Sequence, residues 1–98
     1  MKITATTRWK GGEASAMTDI ARKARPIFAK YGTEVTMGRL HTGPGVGDWL
    51  VVTRYADWAA YAKSQEGMAA DSEFQALLTR TRGIAQQMDR DIVVSVDF

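Results

Sequence analysis

Cysteine and asparagine are missing from this 98-residue chain, and histidine occurs once, as His41. Without cysteine there is no disulfide staple, thiolate nucleophile, Cys-ligated zinc or iron–sulfur cluster. One histidine cannot build a His-rich metal site within a subunit, so no metal is expected. A dominant sign of charge is lacking too. Thirteen Lys+Arg against eleven Asp+Glu leave a net +2, which argues against nucleic acid and anionic membrane surfaces as partners. No window approaches the roughly 18 apolar residues of a membrane span. Met1–Arg8 carries no apolar stretch of signal-peptide type, so the cytoplasm is the expected location. A chain of this length suits one domain, residues 1–98, burying about 60–70% of the surface its unfolded form exposes.

What the chain does contain is pattern. Residues 2–10 alternate, with Ile3, Ala5, Thr7 and Trp9 on one side, as in a half-buried strand. Gly11-Gly12 ends it. Over residues 14–31, Met17, Ile20, Ala21, Ala24, Ile27, Phe28 and Tyr31 recur at helical steps, and Gly32 supplies a C-terminal stop. Pro26 within this helix removes one hydrogen bond and predicts a kink. Residues 33–41 alternate again, with Val35, Met37, Arg39 and His41 on one face. Gly43-Pro44-Gly45-Val46-Gly47 then reads as a hairpin loop leading to a strand at 49–55. It is not a phosphate cradle, because a strand follows it rather than a helix.

Asp57 reads as the N-cap of a helix carrying Trp58, Tyr61, Ala62 and Gln65. Gly67 and Asp71-Ser72 predict a break, followed by a helix with Phe74, Leu77, Leu78 and Thr81 that Gly83 closes. Residues 92–98 predict a final strand, with Asp89 and Asp91 as exposed turn residues at its entrance. The order β-α-β-β-α-β implies a ferredoxin-like α+β fold: a four-stranded antiparallel sheet with its helices on one face. The strand at 49–55 is apolar on both sides, and a strand with one face in water alternates more cleanly. A second copy of the chain is the simplest cover for that face.

This chain resembles the dimeric α/β-barrel superfamily, whose protomer is ferredoxin-like. The resemblance rests on the strand Ile3–Trp9, the helix Ile20–Tyr31 with Gly32, and the stretch Gly47–Tyr61. With Met68–Phe74 added, it is most similar to NIPSNAP-like bacterial members and to antibiotic-biosynthesis-monooxygenase-like ones. The resemblance implies a homodimer with sheets face to face and a pocket between each sheet and its own helices. It also implies a range of activities, from cofactor-independent monooxygenation and haem degradation to lactone isomerisation, so fold alone decides little. Haem-degrading and well-known quinone-forming members use an Asn–Trp pair, and this chain has no asparagine to supply it. An oxygenase of another design is compatible, because substrates that form stabilised carbanions react with oxygen without a cofactor.

Among individual residues, His41 is the one side chain that titrates near neutral pH unperturbed, which makes it the first candidate for a general base. The competing reading is a surface or dimer-contact histidine. Trp49, Tyr55, Trp58 and Tyr61 offer large rings with polar edges, suited to holding a flat ligand. The competing reading is packing between sheet and helix. Arg39 and Arg54 are mid-strand charges that need a carboxylate, a ligand anion or water. A structural ion pair is the expectation for them, with Arg54 a candidate anion anchor. Two functions follow: a cofactor-independent monooxygenase or isomerase acting on an apolar or aromatic substrate, or a non-catalytic homodimeric binding or interaction domain.

Overall fold

The alternation at the start of the chain becomes strand β1 (Ile3–Gly11) in a computed structural model describing residues 1–98. Ile3, Ala5 and Trp9 are buried on one side, with Thr7 half-buried between them. Helix α1 (Ala14–Lys30) follows and buries Met17, Ile20, Ala24 and Ile27. Its end is a Schellman turn: Thr33 N–H donates to Phe28 O at 2.9 Å and Gly32 N–H to Ala29 O at 3.0 Å. Gly32 takes φ 74° there, a backbone angle that a Cβ would strain. Pro26 does not interrupt α1. It is exposed, as are Arg22 and Arg25, so the carbonyl it leaves without a donor faces water.

Strands β2 (Glu34–Arg39) and β3 (Trp49–Tyr55) form the expected hairpin around the glycine-rich loop. Asp57 caps helix α2 (Trp58–Ala70), accepting from Ala60 N–H at 2.8 Å. Asp71 caps helix α3 (Ser72–Ile84), accepting from Phe74 N–H at 2.9 Å. Strand β4 (Ala85–Val94) starts directly at the end of α3. The strands lie in the order β2-β3-β1-β4, each neighbouring pair antiparallel. The fold is therefore ferredoxin-like α+β, with its second helical segment in two pieces. No helix is long and apolar enough to cross a membrane.

Three details differ from the sequence reading. Gly67 does not break a helix; it lies inside α2, where a Cβ would collide with the Tyr31 ring. Strand β2 stops at Arg39, so His41 sits beyond it in the loop rather than on the strand face. The last strand covers 85–94, not 92–98, and Asp89 and Asp91 are strand residues opposite Arg8 and Thr6. Residues 85–91 are mostly polar and carry no strand signal, but β1 is nine residues long and its backbone groups need a partner along their whole length. An edge strand supplies that pairing whatever its side chains.

Register assigns the faces. Ile3, Ala5, Thr7 and Trp9 stand opposite Tyr55, Thr53, Val51 and Trp49, and Val35 and Met37 continue this helix-facing side on β2. On β4 the ladder is regular from Val94 to Asp89; then Met88 is an extra residue, and Gln87 pairs with Trp9. This bulge reverses the alternation, so that Gln87 and Arg90 both face the helices. The opposite side carries Leu50 and Val52, both half-buried. It also carries Arg8, bridging Asp48 at 2.5 Å and Asp89 at 2.7 Å.

Candidate functional site

The helices do not lie flush on the sheet. Between the layers is a cavity of about 410 Å³, at the lower end of the range for small-molecule sites. Its floor is the helix-facing side of the sheet, with Thr7, Val51, Thr53 and Tyr55 at the centre. Its roof is the inner surface of the helices: Ala24 and Phe28 from α1, Met68 from α2, and Phe74, Leu77 and Leu78 from α3. Phe28 and Phe74 meet edge to face across two helices, with centroids 5.4 Å apart. The periodicity that turns an apolar stripe inward on each helix is what lines this space.

Few polar groups enter the interior, and all but the Thr7 hydroxyl are hydrogen-bonded within the protein. Gln65 donates to the Tyr55 hydroxyl at 3.4 Å, which donates to Thr53 Oγ1 at 3.1 Å, which in turn reaches the Ala5 carbonyl at 3.4 Å. No buried side-chain nitrogen or oxygen lacks a partner. Histidine, lysine, aspartate and glutamate are absent from the wall; its charged residues are Arg82 and Arg90. Those two and Gln87 are also the exposed members of the lining, while the others are buried or half-buried. They mark the mouth, along β4 and the end of α3.

The aromatic cluster is partly assembled. Tyr55 is 4% exposed and belongs to the cavity wall. Tyr61 packs edge to face on Tyr55 with centroids 5.0 Å apart, and Trp58 on Tyr61 at 5.8 Å. The rings thus run outward from the wall to Trp58, which is 48% exposed. Trp49 belongs to a separate cluster with Trp9 and Met17. His41 stands exposed and without a hydrogen bond, outside the wall. Arg54 lies on the opposite side of the sheet, donating to Thr36 Oγ1 at 3.3 Å. Neither Arg54 nor Arg39 forms the expected ion pair: Arg39 lies over the Trp49 ring, 4.4 Å from its centroid. The β1 arginine, Arg8, takes that role instead, and it holds the Asp89 carboxyl below its usual range.

Arg82 and Arg90 escaped the sequence reading. Arg90 sits in a polar run with no visible alternation, and the bulge that sets its neighbours' faces has no sequence mark. A NIPSNAP family model matches residues 6–98. The chain belongs to the NIPSNAP family. Its fold matches a NIPSNAP family protein from Agrobacterium tumefaciens at 16% identity and TM-score 0.77, covering 100% of this chain and 96% of that one. A NIPSNAP domain protein from Burkholderia xenovorans matches at 17% and 0.77, covering 100% and 97%. SnoaB, a cofactor-independent oxygenase from Streptomyces nogalater, matches at 13% and 0.74, covering 99% and 95%. At such identities the likeness concerns the fold. Among curated proteins none matches.

Proposed function

We propose that this NIPSNAP chain works as a homodimer, paired through its sheet faces. In this reading each subunit binds an apolar or aromatic small molecule in its cavity and acts on it as a cofactor-independent monooxygenase or isomerase. The observation that carries the reading is the cavity itself, about 410 Å³ and walled mostly by aliphatic and aromatic side chains. Oxygenation of this kind suits a substrate that ionises to a delocalised carbanion. The carbanion passes an electron to dioxygen, and a CH2 group and O2 become a carbonyl and water. The wall's part is to hold the substrate, favour its anion and keep bulk water away. The fold likeness to SnoaB is compatible with this chemistry.

A non-catalytic binder is the second reading. Its support is that the wall holds no histidine or carboxylate to accept a proton, and Tyr55 is its one acidic hydroxyl. Tryptophan fluorescence tests the shared part, since Trp9 lines the cavity. Quinones, anthrones and fatty acids are the probes. At least one class should quench, and Ala24→Phe, which fills the roof, should abolish the effect. Absence of quenching by every class removes the cavity as a binding site. Oxygen uptake with anthrone separates the two readings: uptake above the uncatalysed rate marks the enzyme, and binding without uptake marks the binder. His41→Ala should leave quenching unchanged; a fall in uptake alone would make His41 the base.

A further inference from the structure

We infer that the cavity selects a monoanion, an apolar body carrying one carboxylate or enolate, with the anionic end held at the mouth by Arg82 and Arg90. This rests on the binding reading above and specifies the chemical class of its ligand. Two observations meet here. The interior polar groups other than the Thr7 hydroxyl are already paired, through Gln65, Tyr55, Thr53 and the Ala5 carbonyl and from Thr81 to the Leu77 carbonyl. A ligand's anionic end finds no cation in that interior, and burying it there would leave its charge unpaired. It is driven to the mouth.

The mouth is cationic and lacks a counter-charge. Arg82 makes no hydrogen bond or ion pair with the protein, and its charge is available to a ligand. Arg90 donates to the Tyr61 hydroxyl at 3.0 Å and lies 5.7 Å from that ring's centre, which steadies the side chain without neutralising it. The carboxylates that pair with basic residues are engaged elsewhere: Asp19 with Lys23 and Arg80, Asp48 and Asp89 with Arg8, and Asp71 with Lys30. A guanidinium binds a carboxylate through charge-assisted hydrogen bonds, and the apolar wall behind it lowers the local dielectric. Gln87, turned inward by the bulge at Met88, adds an amide beside them.

The test pairs each anion with a neutral analogue of the same body: decanoate with decanol, and 9-anthracenecarboxylate with 9-anthracenemethanol. Quenching titrations should give the anion of at least one pair about ten-fold tighter binding than its neutral partner, the scale of one charge-assisted contact. The preferred pair distinguishes an acyl from an aromatic body. Arg82→Gln and Arg90→Gln should each erode the preference while leaving the neutral partner's affinity in place. Arg82 touches no other side chain through a polar contact, so its variant tests the idea without loss of fold. Equal binding of anion and neutral analogue, unchanged in both variants, overturns the selectivity and leaves the cavity reading standing. Failure of all four probes to bind overturns the selectivity, and failure of quinones and anthrones as well overturns the cavity reading.

Discussion

A glycine within a helix ordinarily weakens it, and two helical glycines here point in opposite directions. Gly67 in α2 is where the Tyr31 ring presses on the backbone, and a Cβ there would overlap Tyr31 Cδ1 and Cε1. Gly83 in α3 has nothing within 4 Å of where its Cβ would be. Gly67→Ala should therefore destabilise, by about 1–3 kcal/mol, because overpacking outweighs the gain in helix propensity. Gly83→Ala should stabilise by about 0.5–1 kcal/mol. Urea unfolding of the two variants measures both signs, and stabilisation by Gly67→Ala would contradict the close approach. Composition marks both residues only as helix breakers; the ring that separates them comes from Tyr31, just past the end of α1.

Helix α3 is held at its start by one carboxylate. Asp71 accepts from Phe74 N–H, from the Tyr31 hydroxyl at 2.7 Å and from Lys30 Nζ at 3.4 Å, linking the end of α1 to the α2–α3 junction. The Phe74 amide, then the Tyr31 hydroxyl and Lys30, hold its pKa below the ordinary carboxylate range. A carboxylate whose pKa is depressed on folding contributes stability above its unfolded value, about 3.9, and loses it as pH falls through the folded value. Asp71→Asn keeps a capping side chain but removes the charge. Its deficit in Tm should be greatest near neutral pH and shrink below about pH 4. A deficit constant with pH would mean the ionised form is not what the cluster needs. The cap was readable from Asp71-Ser72, since a short side-chain acceptor beside an apolar run is a local signal. Its bonds to Tyr31 and Lys30, forty and more residues away in the chain, were not.

At the scale of the whole molecule, the sheet has one side under the helices and another that carries Leu50 and Val52 beside the Arg8–Asp48–Asp89 bridge. Placing this face against a second copy would remove apolar area from water, and a stable dimer needs about 800 Å² from each partner. Val52→Lys puts a charge at the centre of that face, opposite Thr6 on β1 and Thr36 on β2. Sedimentation should find the unaltered chain at twice its monomer mass and the variant at monomer mass. A monomeric unaltered chain at micromolar concentration would remove the paired-sheet assembly.

The order of elements, the two aspartate caps and the glycine loop were determined by the sequence, because periodicity, capping and positive-φ turns are set by residues within a few positions of one another. Tyr55 was legible as one of four rings suited to holding a flat ligand, and only its pairing with Ile3 put it on the inner side of the sheet. The mouth was decided only by tertiary structure. Arg82 and Arg90 have no periodicity to announce them, and they become neighbours of one cavity because α3 runs straight into an edge strand whose bulge turns Gln87 inward beside them. His41, conspicuous as the lone histidine, lies beyond its strand because the ladder ends at Arg39. The absent cysteine and asparagine delimit the chemistry; pairing between distant strands determines where the remaining side chains can act.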